Sequence, residues 1–152
     1  LLEVDIRGNI SMAIIERISK FFTVDKTEEK RIANYYKDAI RIKTPTIEQK
    51  IKNLSGGNQQ KVIIARWLAS EPTLVIFDEP TRGIDVGAKS EIYALVNELV
   101  ESGKAVLMIS SEMEEVMGMS DRIIVLREGR ISGMLNRAEF NQETIMAFAS
   151  RS

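Results

Sequence analysis

The apolar positions in the first fifty residues repeat with the period of amphipathic helices. Two such helices are predicted within residues 9–43, with Asn9 as a candidate cap for the first. The second carries one apolar stripe. Its members are Ile32, Tyr35, Tyr36, Ala39 and Ile40. Thr46 and Gln49 have the spacing of a capping box, which predicts a third, short helix.

After residue 53 the pattern changes to apolar runs of strand length that alternate with helical repeats. Helices are predicted at residues 57–69, 88–101 and 112–117, and fully buried strands at residues 74–77 and 105–110. Glu128-Gly129 lies between two apolar segments, 122–127 and 130–135, and predicts a β-hairpin. Asn136 with Glu139, and Asn141, are candidate caps for closing helices. The alternation predicts an α/β fold: a parallel sheet core, a helical part before it and a C-terminal β-hairpin.

Composition narrows the chemistry. The 152 residues carry 21 Lys and Arg against 22 Asp and Glu, a net charge of -1, which argues against a nucleic-acid partner. Cysteine and histidine are both absent from the sequence, so disulfides, thiolate chemistry and imidazole bases are excluded within it. No apolar run has the length of a membrane span. The start lacks both an initiator Met and a signal-peptide pattern, and we expect the chain to be a piece of a longer protein.

Two short motifs suggest phosphate chemistry. Ser55-Gly56-Gly57 opens a predicted helix, where bare backbone amides and the helix dipole favour an anion. Asp78-Glu79 follows an apolar strand, at the sheet edge where α/β proteins bind ligands. One carboxylate there can hold Mg²⁺, and the other can orient or deprotonate an attacking water.

These residues resemble the ATP-binding cassette (ABC) ATPases. Leu54-Ser55-Gly56-Gly57-Asn58-Gln59 is similar to the family's signature motif, residues 74–79 to its Walker B strand, and residues 82–85 to its D-loop. The resemblance extends through Ser110-Ser111-Glu112 to the hairpin. Residues 58–61 combined with the longer string 78–89 are similar to the second cassette of tandem-cassette ATPases that energise bacterial ribose, galactoside and xylose importers. This resemblance implies a partial P-loop NTPase fold, with a helical subdomain at residues 1–53 and the ATPase core at 54–152.

The resemblance also implies roles for individual residues. Glu79 would be catalytic and Asp78 would stabilise Mg²⁺. The nucleotide-binding residues would be Ser55, Gly56, Gly57, Gln59, Asp85 and Ser111. The sequence contains no G-x-x-x-x-G-K-[ST], so the Walker A lysine and the glutamine loop are expected before Leu1. Ser111 stands where the family has its switch histidine, which implies slow hydrolysis at the site built on Glu79.

In the family, two cassettes meet head to tail, and each ATP lies between the cradle of one and the signature of the other. Ser55, Gly56 and Gly57 would therefore serve the nucleotide of a partner cassette, while Asp78 and Glu79 serve a weaker site in cis. The other implied partners are transmembrane permease subunits and, indirectly, a periplasmic or extracellular sugar-binding protein. The implied location is peripheral, on the cytoplasmic face of the membrane. ATPase activity is expected of the full-length protein and not of the isolated chain.

Plainer interpretations remain open beside these. Ser55 and Asp85 are both good helix caps. Ser111 with Glu114 matches a capping box, which for Ser111 is the favoured interpretation. Trp67 is expected in the core. At the level of the whole protein, the alternatives are a soluble ABC-type ATPase of nucleic-acid repair or translation, and a noncatalytic docking fragment.

Overall fold

Six α-helices and six strands lie within residues 1–150, the part of the chain that the computed structural model describes. The helices are α1 (Ile6–Ser11), α2 (Lys26–Ala39), α3 (Gly56–Leu68), α4 (Val86–Glu101), α5 (Met113–Met119) and α6 (Gln142–Ser150). The strands are β1 (Ser19–Lys20), β2 (Thr23–Val24), β3 (Leu74–Asp78), β4 (Ala105–Ile109), β5 (Arg122–Arg127) and β6 (Arg130–Asn136). None of the helices in residues 1–150 combines the length and the apolar character that crossing a membrane requires.

The described residues form two compact units. The first contains residues 1–75 and 81–106, and the second contains residues 76–80 and 107–150. The first unit contains both the helical residues 1–53 and helix α3. The predicted boundary after residue 53 therefore does not coincide with a boundary between the two units. That boundary stays a prediction about the family's subdomains.

Strands β3 and β4 pair with each other. Ala105 N–H donates to the Thr73 carbonyl and Glu79 N–H to the Ile109 carbonyl, both at 2.9 Å. Because the two bonds advance in the same direction along both strands, the pair is parallel, as predicted.

The prediction that β3 and β4 are fully buried is wrong. In β3 only Val75 and Phe77 are buried, whereas Leu74 and Ile76 are exposed. None of the five residues of β4, all of them described, is buried. Successive side chains of a strand point to opposite faces, and the described chain covers only one face of β3.

Helix α1 begins earlier than predicted, because Asp5 and not Asn9 is its cap. The Asp5 carboxylate accepts the backbone N–H three residues further on at 2.7 Å. Asn9 lies inside the helix and is fully buried. Its Nδ2 donates to the carbonyls of Leu1, Val4 and Asp5, and its Oδ1 accepts from Arg66 at 2.7 Å. The Asn9 side chain therefore connects residues 1–5 to helix α3 through hydrogen bonds.

A short β-hairpin with two residues in each strand lies between the first two helices, and the sequence analysis did not predict it. Ser19 pairs with Val24, and Lys20 pairs with Thr23. The turn residues Phe21 and Phe22 have φ angles of 49° and 65°. This left-handed backbone costs a residue with a side chain about 1–2 kcal/mol, so the turn holds two strained residues in succession.

Helix α2 is capped by Asp25, whose carboxylate accepts the amides of Thr27 and Glu28 at 3.1 Å. Its apolar stripe is only partly as predicted. Ile32 and Ile40 are buried and Tyr36 is half-buried, but Tyr35 and Ala39 are exposed. The buried side also includes Glu29 and Ala33, so it is rotated away from the two exposed positions.

The predicted capping box at Thr46 and Gln49 does not form. The Thr46 hydroxyl donates to the carboxylate of Glu48, and the next helical residues are a short 3-10 helix at Ile51–Asn53.

Helix α3 buries one stripe with helical spacing. Its buried members are Gly57, Lys61, Val62, Ile64, Ala65 and Leu68. Trp67 is 57% exposed, so the expectation that it belongs to the core is wrong. Together with Ile63, four residues earlier and also exposed, it lies on the side of α3 away from that stripe.

The second unit contains the predicted C-terminal hairpin. Glu128 and Gly129 have φ angles of 49° and 74°, the left-handed pair that a type I′ turn requires. The register shifts after Val125, where Ser132 is the additional residue and its hydroxyl donates to the Val125 carbonyl at 3.1 Å. The capping box at Asn136 and Glu139 is confirmed.

Helices α5 and α6 pack on one face of this hairpin. The buried cluster is Ile123, Val125, Leu135 and Ile145, with Met113, Val116, Met117, Phe140 and Phe148 against it. Asn141 caps α6, since its side chain accepts the Glu143 amide at 2.8 Å. A Cβ on Gly133 would lie 2.4 Å from the Phe148 ring, so this glycine makes room for the aromatic side chain.

A buried lysine ties α3 to α4 in the first unit. The Lys61 side chain is 4% exposed, and its Nζ donates to Glu91 Oε2 at 2.7 Å and to the Arg41 carbonyl at 3.1 Å. Lys43 donates to the other Glu91 oxygen at 2.8 Å. The hydrogen bond from Lys43, then that from Lys61, lowers the pKa of Glu91 from 4.5 to about 2. One carboxylate therefore neutralises a buried and an exposed ammonium group.

Glu91→Gln should destabilise the fold by roughly 1–3 kcal/mol at neutral pH, because it strips the buried Lys61 of its counter-charge. The expected cost is below that of a fully buried pair, since the Glu91 side chain is 41% exposed. A lowered folded-state pKa gives stability that is complete above the unfolded value, 4.5, and lost as the pH falls towards about 2.

Urea unfolding of the parent and Glu91→Gln across this pH range measures the difference directly. Glu98→Gln is the matched control, since it removes a carboxylate from the exposed Arg41–Glu98 pair of 2.8 Å. A difference between parent and Glu91→Gln that stays constant from pH 7 to pH 2 would contradict the assignment.

Candidate functional site

The N-terminus of α3 presents backbone amides at an exposed position. Ser55 occupies the N-cap position with extended backbone, φ -61° and ψ 155°. The first intrahelical bond runs from the Gln59 amide to the Ser55 carbonyl at 2.9 Å. The amides of Gly56, Gly57 and Asn58 precede that bond, and within residues 1–150 the Ser55 hydroxyl caps none of them. Ser55 therefore takes the cap position without making the capping bond.

The two glycines of this segment differ in their surroundings. Gly57 is buried, and a Cβ there would lie 2.5 Å from the Ala88 Cβ on α4. Gly56 is exposed, and the nearest atom to its Cβ position is Ile84 Cγ2 at 3.7 Å. Packing of α3 against α4 explains Gly57. Packing does not explain Gly56, because a Cβ at that position would make only an ordinary van der Waals contact with Ile84.

Asn58 organises this segment and was missed among the predicted site residues. Its Nδ2 donates to Ser55 Oγ at 2.9 Å, and its Oδ1 accepts the backbone N–H of Lys43 at 2.8 Å. The signal available in the sequence was a polar side chain three residues after a candidate N-cap. Gln59, which was predicted, donates from Nε2 to the Leu54 carbonyl at 3.0 Å.

Asp85 caps α4, as its plainer interpretation predicts. The carboxylate accepts the Ala88 amide at 2.8 Å, and the residue has extended backbone. Because the Gly57 contact also falls on Ala88, the capped turn of α4 lies against the start of α3. The structure thus brings Asp85 into the same unit as the predicted residues 55–59.

The other predicted residues lie in the second unit, at the carboxyl ends of β3 and β4. Asp78 is the last residue of β3 and is exposed. Glu79 follows with a left-handed backbone, φ 49°, while its N–H still bonds to the Ile109 carbonyl. Its Oε2 accepts a hydrogen bond from Ser111 Oγ at 3.2 Å. The structure therefore joins Glu79 and Ser111 directly.

The favoured interpretation of Ser111 as part of a capping box with Glu114 is wrong. Helix α5 starts at Met113, so the residue before it is Glu112 and not Ser111. The Glu112 amide bonds instead to Ser110 Oγ at 3.0 Å. Ser111 is left to donate to the Glu79 carboxylate.

In the described part of the chain, no three side chains among Asp, Glu, His and Cys are grouped to hold a metal ion. Mg²⁺ is usually held by one or two carboxylates together with phosphate oxygens. An exposed Asp78 carboxylate at the end of β3 fits a role as one such ligand.

Comparison with known proteins identifies the class. The sequence profile of the ABC transporter family matches residues 4–82, and the chain belongs to that family. It is 57% identical over 150 residues to the ribose import ATP-binding protein RbsA of Clostridium perfringens (strain SM101 / Type A). It is 53% identical over 146 residues to the xylose import ATP-binding protein XylG of Thermoanaerobacter pseudethanolicus. The matches cover 98% and 96% of the chain but only 30% and 29% of these relatives.

Solved structures confirm the α/β fold of an ABC cassette. A dimeric ATP-binding cassette in a post-hydrolysis state with ADP and Pi superposes with a TM-score of 0.75 and 25% identity, over 92% of this chain and 60% of that one. A putative metal-chelate type ABC transporter in an inward-facing conformation has a TM-score of 0.82 and 20% identity, over 96% and 57% of the two chains.

Proposed function

We propose that this chain forms part of the ATP-binding subunit of a carbohydrate importer, as the C-terminal cassette of a two-cassette protein. The functions of its relatives, ribose import and xylose import, support the substrate class. The identity of 57% over 150 residues supports assigning the same substrate class to the protein that contains this chain.

The observation that carries the mechanism is the uncapped N-terminus of α3. Three backbone amides precede the first helical hydrogen bond, and Gly56 is exposed and offers no side chain that would cover them. Such an end binds phosphate oxygens through its amides and its dipole. In the proposed subunit, Ser55, Gly56 and Gly57 bind the terminal phosphate of an ATP held by the partner cassette. Asn58 fixes the position of Ser55, and Asp85 fixes α4 behind Gly57.

Asp78 and Glu79 belong to a second site in cis. When MgATP is bound, the metal ion would neutralise charge at the phosphates, and the Asp78 carboxylate would hold it. The Glu79 carboxylate would orient the attacking water. Its hydrogen bond with Ser111 occupies Oε2, and a serine hydroxyl cannot take up a proton as an imidazole can. This site is therefore the slower of the two.

The proposed partners are a second ATP-binding cassette, transmembrane permease subunits and, through them, a sugar-binding protein. The subunit then lies peripherally on the cytoplasmic face of the membrane.

Purification of the complete protein from its native membranes tests this proposal. It should co-purify with permease subunits, and reconstitution with them and a sugar-binding protein should raise its ATPase activity in the presence of the sugar. Purification with ribosomes or DNA, and activity indifferent to membrane subunits, would favour the soluble class of ABC ATPase instead.

A further inference from the structure

The short segment of residues 41–43, which follows α2, is hydrogen-bonded to the first two turns of α3. The Lys43 N–H donates to Asn58 Oδ1 at 2.8 Å, and the Arg41 carbonyl accepts from Lys61 Nζ at 3.1 Å. Asn58 is also the residue whose Nδ2 donates to Ser55 Oγ. The position of residues 41–43 therefore bears on the position of Ser55 through a single side chain.

Apolar packing closes only part of the surroundings of this segment. Ile42 is buried, but a cavity of about 160 Å³ lies beside its two neighbours. Most of the residues that line the cavity are charged. They are Arg41, Lys43, Lys61, Glu91 and Glu98, together with Ala39, Ile40 and Leu95. Arg41 has a left-handed backbone, φ 55°, a conformation that persists where surrounding contacts hold it. On the cavity side those contacts are ionic.

Glu91 on α4 contacts both connections between the segment and α3. Its Oε1 accepts from Lys43 Nζ at 2.8 Å, and its Oε2 accepts from Lys61 Nζ at 2.7 Å. Lys43 is thus bonded to Glu91 by its side chain and to Asn58 by its backbone. The Lys61 side chain is only 4% exposed, so without Glu91 its ammonium group would be a buried charge with no counter-charge. Both connections therefore depend on one carboxylate.

We propose that Glu91 is a positioning residue for the phosphate-binding end of α3. It acts through Lys43 and Asn58, which fix the place of Ser55, and through Lys61, which keeps residues 41–43 against α3. In this role Glu91 does not touch the nucleotide. The inference rests on the proposed function, because it assigns a residue that prepares the same phosphate-binding end.

A double-mutant cycle on the complete, assembled protein tests this connection. Glu91→Gln and Asn58→Ala should each lower kcat/KM for ATP about tenfold, as expected within one hydrogen-bond network. The double variant should lose little more than either single one, since both changes break the same connection. Glu98→Gln is the matched control. Glu98 lines the same cavity but pairs with the exposed Arg41 guanidinium, so this variant should keep the parental value.

Lys43→Met provides a second variant whose folding is not at risk. The Lys43 side chain is 73% exposed, and Lys61 keeps its counter-charge when Lys43 is changed, so the urea midpoint should stay near the parental value. Its kcat/KM should fall about threefold, since one of the two connections remains. Combination with Asn58→Ala should again add little.

Hydrogen exchange measures the positioning without any ATPase assay. The Lys43 amide bonds to Asn58 Oδ1, and the Gln59 amide closes the first turn of α3. In the complete protein, both amides should exchange about tenfold faster in Glu91→Gln than in the parent. The Ala69 amide, bonded at the other end of α3, corrects for any general loss of stability and should change less.

The inference is overturned if the effects of Glu91→Gln and Asn58→Ala on kcat/KM multiply, or if exchange at Lys43 and Gln59 rises no more than at Ala69. An equal effect of Glu98→Gln would overturn it as well. Faster exchange at the two amides in a complete protein without ATPase activity would support the positioning role and contradict the proposed function instead. The two failures are therefore distinguishable.

Discussion

Ser55→Arg is expected to reduce the ATPase activity of the complete, assembled protein by about a hundredfold or more, the scale seen when one hydrogen-bond donor that stabilises developing charge is lost. Ser55 is exposed and precedes the uncapped amides of Gly56, Gly57 and Asn58. A guanidinium group at this position covers those amides and fills the space that a phosphate would enter. The measurement is steady-state phosphate release with permease and sugar-binding protein present.

Two variants make this result specific. Ser70→Arg adds the same charge just beyond the other end of α3, where Ser70 is also exposed, and should leave activity near the parental value. Glu79→Gln should retain most of the turnover, because Glu79 belongs to the site that we propose to be the slower one. If Glu79→Gln abolished turnover while Ser55→Arg left it intact, the roles proposed for the two sites would be reversed.

Gly57→Ala should lower the free energy of unfolding by about 1–3 kcal/mol, the usual cost of overpacking a buried contact. The added methyl group would lie 2.5 Å from the Ala88 Cβ, so α3 and α4 must move apart. Gly56→Ala is the matched variant in the same helical turn. Its methyl group would have its nearest neighbour at 3.7 Å, and alanine is the better helix former. It should therefore be neutral or slightly stabilising. Urea midpoints compare the two variants.

Gly57→Ala/Ala88→Gly should recover much of the loss, since the second change removes the methyl group that the first one meets. Equal unfolding midpoints for Gly56→Ala and Gly57→Ala would show that the close approach of α3 to α4 is not maintained in solution. Gly56→Ala has a further use. Because it is expected to keep the fold, any loss of ATPase activity that it causes in the assembled protein reports on ligand approach alone.

The sequence predicted best those elements that follow local rules. Helices α3 and α4 have strong helical periodicity, and the β5–β6 hairpin has its turn at Glu128-Gly129. In each case the residues that specify the element lie within it. The β1–β2 hairpin was missed for the same reason, since Phe21-Phe22 is not a turn sequence.

Burial was predicted less well because it depends on what lies against each face. An apolar run such as residues 74–77 shows that a strand can be buried on both sides, not that both sides are covered. Trp67 and Ile63 share a helical face, but the face that packs is the one centred on Lys61 and Ala65. The burial of Asn9 could not be predicted for a comparable reason, since its hydrogen-bond partner Arg66 is distant in sequence.

The candidate site shows the same division. The motifs identified Ser55, Gly57 and Glu79 as residues of interest. They did not show that Asn58 bonds to Ser55, that Gly57 meets Ala88 or that Ser111 donates to Glu79. The last two contacts join residues about thirty positions apart, and the fold alone determines them.

Because Gly133 lies against Phe148, the residues at these two positions should not vary independently among related proteins. A side chain at residue 133 would occupy the space of the Phe148 ring, 2.4 Å from the Cβ position. Natural variants with a larger residue in place of this glycine should therefore carry a smaller one in place of the phenylalanine. Neutral drift at the strand then becomes possible only after a compensating change in the helix.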